Sequence, residues 1–222
     1  MTPFVAIDGL FVVASSFNLL EGAWLPIAIA IVLSLVMLTW VRGTGVLRVA
    51  ARKNEADLDW LVRKLEAKPP HKVSGTAVFL TSTPEAAPSA LLHNLKHNHM
   101  LHERNIILSI NTADAPYVAN KDRLTIENVS ETFTRVGVTY GFMETPSVPK
   151  ALALCRRRDL NIDISATSFF LSRRVLKTAS CSPLPRWQEK LFIWLAGSAE
   201  DASDYFQIPP DRVVEVGTQI VI

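Results

Sequence analysis

The chain has 222 residues, 49% of them hydrophobic and 20% charged, and a net charge of +2. That length can bury a substantial core, and the apolar share excludes a disordered tail. Charge is placed unevenly: residues 1–41 hold no Lys or Arg and only two acids, Asp8 and Glu21, so all 23 basic residues lie beyond them. Those cations are mixed with acids rather than gathered into a stripe with aromatics between them, which argues against nucleic acid as a partner.

The first predicted elements belong to a membrane. Gly22 to Val41 carries no charge, and a helix of that length spans roughly 30 Å, the thickness of a bilayer's hydrocarbon core. Trp24 and Trp40 stand near its ends, where indoles favour the lipid headgroups, and Pro26 falls in the first turn, where its missing N–H is tolerated. Arg42, Arg48, Arg52 and Lys53 follow at once. The positive-inside rule puts them in the cytoplasm and Glu21-Gly22 outside. A signal peptide would have its basic region first. Trp24, Trp40 and Arg42 are thus the expected membrane-interface residues, with lipid as their partner.

A second apolar stretch, Phe4 to Leu20, precedes this one, and the turn Leu20-Glu21-Gly22 predicts an antiparallel hairpin. It carries Asp8 and Asn18, so it needs protein neighbours unless Asp8 meets water near the N-terminus. Two helices alone make no pathway for a solute. The chain is expected either to oligomerise, as in a homodimer, or to be a piece of something larger.

Residues 43–68 read as a charged helix, closed by the linker Lys68-Pro69-Pro70-His71-Lys72. Strands are expected at Thr76–Thr81 and Asn105–Ile110, joined through a helix at Ser89–His99 in a parallel strand–helix–strand unit. Arg123–Val129 and Glu131–Phe142 alternate as strands. A helix at Val148–Arg158, a strand at Thr167–Arg173, a helix at Arg186–Ala199 marked by Trp187, Leu191, Trp194 and Leu195, and a strand at Val213–Ile222 complete the pattern. The fold class is α/β: a two-helix transmembrane hairpin (1–41), a charged connecting helix and linker (42–72), and a cytoplasmic α/β domain with a mixed sheet (73–222).

Sites are sparse. His93, His97, His99 and His102 cluster, and His93 and His97 at i, i+4 share a helix face as metal ligands can, with Glu103 a candidate carboxylate. Hydrogen-bonding residues at a helix end are the favoured reading. Cys155 and Cys181 lack a second pair at ligand spacing and read as reduced thiols. Gly137 and Gly141 mark a bulge or tight packing rather than a phosphate loop. Arg156-Arg157-Arg158 and Arg173-Arg174 could hold a phosphate or anionic lipid, although a solvated basic face is favoured. No catalytic residue, metal site or cofactor is assigned.

The stretch Gly75 to Asn111, GTAVFLTSTPEAAPSALLHNLKHNHMLHERNIILSIN, and the ending YFQIPPDRVVEVGTQIVI resemble the cytoplasmic C-terminal domain of the Kup family of potassium uptake transporters. Asp8 to Gly43 is similar to that family's last two membrane helices. The resemblance marks His93, His97, His102, Glu103, Arg104 and Asn105 as family-motif residues of unassigned role. It implies a multi-pass inner-membrane protein importing potassium with a proton, of which this chain is a C-terminal part working with the remaining transporter helices. The potassium-binding residues are expected outside the chain, and the cytoplasmic domain is expected to regulate or assemble the transporter. The competing expectation is a membrane-anchored module that senses a nucleotide.

Overall fold

The computed structural model describes residues 2–17, 24–52, 56–156, 160, 162–178, 183–198 and 202–221. It contains helices α1 (Thr2–Phe17), α2 (Trp24–Arg52) and α3 (Leu58–Ala67), then strand β1 (His71–Thr81), helix α4 (Ser89–Asn98) and strands β2 (Met100–Ala113), β3 (Leu124–Asn128) and β4 (Phe133–Gly141). Helix α5 (Val148–Cys155), strand β5 (Thr167–Lys177), helices α6 (Arg186–Gly197) and α7 (Ala202–Tyr205), and strand β6 (Val213–Val221) follow. The chain divides into two compact units. One comprises residues 1–48 and 178–197 with Ile222; the other comprises residues 49–177 and 198–221.

In the first unit, α1 and α2 form the N-terminal helix-hairpin region. Residues 18–23, which include Asn18 and the predicted turn Leu20-Glu21-Gly22, lie outside the described residues. Among the described residues α2 alone is long and apolar enough to cross a membrane, over Trp24–Ala50, while α1 contributes a shorter apolar stretch, Phe4–Ala14. Leu25, Leu33 and Val41 are 52%, 57% and 66% exposed on α2. A continuous apolar surface of that kind is stable against lipid or protein, not water. Asp8 is likewise exposed on α1.

The predicted helix at 43–68 is corrected. The membrane helix runs on through Arg42 to Arg52, and α3 is a separate helix beginning at Leu58. Gly43 and Gly45 weaken a helix without ending it. Asp57, by contrast, is a true start signal: its carboxylate accepts from the Trp60 N–H at 2.7 Å. Lys53 lies outside the described residues, and the expected linker is already strand from His71.

Helix α6 packs on the Arg42 end of α2. The Phe192 ring meets the Trp40 ring at 5.6 Å between centroids, tilted by 53°. It fills the space over Gly43, where an added Cβ would collide with the ring. Glycine at this position is what lets the two helices approach.

The second unit is built on a six-stranded sheet of order β3-β4-β2-β1-β5-β6, in which only the β3–β4 pair is antiparallel. Strand β1 leads through α4 to β2 on one side, whereas β4 leads through α5 to β5 on the other. Right-handed crossovers in opposite directions put their helices on opposite faces. The two cores agree. Ala77, Phe79, Ile107 and Phe170 pack with Leu58, Val62 and Leu91 of α3 and α4. On the other face Val78, Ile106, Leu108 and Phe169 pack with Ala151, Leu152 and Cys155 of α5. Cys155 is a buried free thiol, and Cys181 lies outside the described residues.

Of the two strand glycines, Gly141 serves tight packing, since a Cβ there would strike the Pro116 carbonyl. Gly137 sits in unbroken β2–β4 register. The register shift falls instead in β1 between Val73 and Thr76, where Gly75 takes φ = 107°. Beside Gly141, the Glu144 carboxylate accepts from the Gly141 N–H at 2.7 Å and the Val118 N–H at 3.2 Å and pairs with Arg123. The Gly141 N–H, then Arg123 and Val118, hold its carboxyl below the ordinary carboxylate range against the opposing effect of burial.

The Gly43 contact is testable. Gly45 faces open space, so Gly45→Ala gains up to about 1 kcal/mol from helix propensity. Gly43→Ala loses that gain to a steric penalty of about 1–3 kcal/mol. Thermal melts of the two variants in nanodiscs are expected to shift in opposite directions.

Candidate functional site

The candidate site is a cleft at the carboxyl end of the parallel strands. Strand β1 connects toward β2 and β5 toward β6, in opposite directions along the sheet, so the chain leaves a crevice between β1 and β5. Open α/β sheets bind ligands at such switch points. Here the crevice is a cavity of about 420 Å³. Its apolar floor includes Leu80, Leu108 and Leu171, and its polar lining includes Ser82, Thr83, Ser89, Ser172 and Arg174.

The loop from β1 to α4, TSTPEAAPS, forms one wall, and each segment of it is tied down. Thr81 Oγ1 donates to the Thr83 carbonyl and accepts from the Thr83 N–H, at 3.1 and 3.2 Å. The Leu58 N–H donates to the Glu85 carbonyl and the Ala87 N–H to the Ala56 carbonyl, at 3.0 and 2.8 Å. Arg135 on β4 donates to the Pro84 carbonyl at 3.0 Å while pairing with Asp59 at 3.1 Å and Glu127 at 2.6 Å. Across the cleft, Ser172 Oγ accepts from the Ala90 N–H at 3.0 Å, so a hydroxyl on β5 satisfies one of the N–H groups that the start of α4 leaves open. The result is a preformed cleft that presents hydroxyls, a helix start and, from its exposed edge, a guanidinium. Among the described residues its lining holds no carboxylate, imidazole or thiol.

The motif histidines lie elsewhere. The cleft is at the start of α4 and the far end of β2, whereas the motif spans the end of α4 and the start of β2. His93 and His97 stack with ring centroids 5.7 Å apart, and His99 adopts φ = 52° at the end of α4. Among the described residues no three His, Cys, Asp or Glu side chains converge on a point that could hold a metal. His102 packs edge-on to Phe170 at 5.8 Å, and burial lowers its pKa. Glu103 and Arg104 are exposed.

The buried polar residues of this stretch are Asn94 and Asn105, and both organise backbone. Asn94 donates to the Met100 carbonyl at 3.1 Å and accepts from Asn98 at 2.8 Å, closing the turn from α4 into β2. Asn105 donates through its side chain to the His102 carbonyl at 2.7 Å and through its backbone N–H to the Thr132 carbonyl at 2.8 Å. Of the basic runs, Arg173 pairs with Glu215 at 3.2 Å, Arg174 lines the cleft and Arg156 is exposed. Arg157 and Arg158 lie outside the described residues. The cleft and Arg135 were missed from sequence. Their one local signal was the Ser/Thr/Pro-rich loop between a buried strand and a helix.

Two family models match the chain in succession. The "K+ potassium transporter integral membrane domain" covers residues 1–45 and the "K+ potassium transporter C-terminal domain" residues 74–222. Curated relatives match end to end. The chain is 53% identical to a probable potassium transport system protein Kup 2 of Rhodopseudomonas palustris strain BisB18, over 99% of the chain and 35% of that protein. It is 51% identical to a probable Kup protein of Nitrobacter winogradskyi, over 100% and 34%, and 52% identical to a probable Kup 2 of Mesorhizobium japonicum, over 99% and 34%. The chain therefore spans about a third of the length of the curated relatives it matches. No solved structure gives a significant match.

The two kinds of motif residue separate in a stability measurement. Asn105→Ala leaves the His102 carbonyl without its side-chain donor, while the Thr132 carbonyl keeps the backbone N–H, and is expected to lower stability by about 1–3 kcal/mol. His97→Ala, on an exposed surface, is expected to change it by less than about 0.5 kcal/mol. Pulse proteolysis in urea reads both.

Proposed function

This chain belongs to the K+ potassium transporter family and is an integral membrane protein, and we propose that it is the C-terminal part of a Kup-like potassium:proton symporter. In this reading α1 and α2 complete a helix bundle in the plasma membrane, and the remaining helices supply the ion pathway and the residues that couple potassium uptake to proton uptake. The sheet unit lies in the cytoplasm and regulates or assembles the transporter. The observation that carries the reading is the order of the two family matches along a chain whose long apolar helix meets a basic run at Arg42. Trp24, Trp40 and Arg42 then anchor α2 at the two interfaces.

The cleft between β1 and β5 favours a second reading of the sheet unit, as a module that senses a nucleotide. Hydroxyls, a helix start and Arg174 are groups that phosphate recognition uses.

Rubidium uptake tests the first reading. In cells lacking their own potassium importers, the chain alone is expected to support none. Co-expression with the preceding helices of a related transporter is expected to restore it. Uptake by the chain alone, or failure of the assembled transporter, would contradict the proposal. For the second reading, calorimetric titration of the full chain with nucleotides is expected to give a heat that Arg174→Ala weakens by about tenfold, the value of one charge-assisted contact; a silent titration would end it.

A further inference from the structure

Helix α6 is inside out for a helix that meets water. The residues it buries are Gln188, Glu189 and Phe192, the first two only 4% and 3% exposed, while Trp187 and Trp194 stand 52% and 67% exposed on the opposite side. At 100° per residue, Arg186, Trp187, Lys190 and Trp194 fall within about a quarter turn of one another, and all four are exposed. Two indoles and two cations thus share one outward face, and the polar carboxylate and amide face inward.

The depth of that face is fixed by what α6 packs against. Phe192 rests on Trp40 and over Gly43, the point where the apolar run of α2 gives way to Arg42. We propose that α6 is an interfacial helix whose Trp187 and Trp194 lie in the headgroup layer of the bilayer that α2 crosses, with Arg186 and Lys190 directed at lipid phosphates. Indoles favour this layer because the ring is apolar and its N–H needs a wet partner. Long cationic stems cover apolar surface while their heads reach phosphate. Lipid is the occupant because the opposite side of α6 rests on α2 at Trp40 and Gly43, where the apolar run of α2 ends, and because the charges of the outward face are all positive, complementary to phosphate. The inference rests on the reading of α2 as a membrane span.

The full chain in nanodiscs of phosphatidylcholine and phosphatidylglycerol tests it, using lipids brominated near the headgroup end of the acyl chain to quench indole fluorescence. One reporter keeps Trp187 and Trp194 and carries Trp24→Phe, Trp40→Phe and Trp60→Phe. The other keeps Trp24 alone. Brominated lipid is expected to lower the fluorescence of both at least about two-fold relative to unbrominated lipid, since interface indoles lie within contact of the acyl chain tops. Quenching of the Trp24 reporter without the α6 reporter would overturn the inference and leave the span intact. Quenching of neither would overturn both. Should a reporter fold poorly, hydroxyl-radical oxidation of the unaltered chain, read by mass spectrometry, distinguishes the same two arrangements. Trp187 and Trp194 are expected to be protected in nanodiscs to the degree of Trp24, and oxidation at the rate of their exposure in the protein would overturn the inference.

Discussion

An apolar helix whose side chains face outward has one physical requirement, a surrounding that is not water. Along α2 that requirement runs from Trp24 to Val41 and stops at Arg42. In hydrocarbon every backbone N–H and C=O must be bonded within the segment, which a continuous helix satisfies. The helix continues unbroken to Arg52, and the stretch around Trp40 and Gly43 gives α6 a surface to pack on. The packing is specific because Gly43 admits the Phe192 ring and no larger residue would.

The sheet unit obeys a different constraint. Its neighbouring strands β1 and β5 lead away in opposite directions, β1 toward β2 and β5 toward β6, and a sheet wound that way opens at the carboxyl ends of its central strands. Arg135 is the residue that fixes the opening. It bonds α3 through Asp59, β3 through Glu127 and the loop through the Pro84 carbonyl, holding one wall of the cleft while Ser172 holds the start of α4. The tying of Glu144 to Gly141, Val118 and Arg123 fixes a second loop at the end of β4 by the same means. Because those contacts favour the ionised carboxylate, their contribution is complete above its ordinary titration range and is lost as pH falls through the lowered value.

Much of this fold was legible in the residues. Apolar runs such as Val78-Phe79-Leu80 and Ile106-Ile107-Leu108 give buried strands, and their spacing around Leu91 and Leu95 gives the parallel unit. What was not legible follows from what a single sequence lacks. Strand order depends on contacts between β1 and β5 about ninety residues apart, so the cleft had no local mark beyond a Ser/Thr/Pro-rich loop. The end of α2 is not legible because the change from apolar to basic residues at Arg42 resembles a helix boundary, although the backbone continues through it. Helix α6 was found from Trp187, Leu191, Trp194 and Leu195, but the side it buries is the one bearing Gln188 and Glu189. Periodicity locates an apolar stripe without saying whether protein or lipid covers it. The motif histidines draw attention for their chemistry, whereas Asn94 and Asn105 do the structural bonding.

The central claim, that α2 crosses the bilayer with its Arg42 end in the cytoplasm, is tested most directly by thiol accessibility in intact cells. In a chain carrying Cys155→Ser and Cys181→Ser, cysteines placed singly by Gly22→Cys and Gly45→Cys are treated with a membrane-impermeant maleimide. The account predicts labelling of the first in intact cells and of the second only after permeabilisation. Labelling of both from outside, or the reverse order, would contradict it.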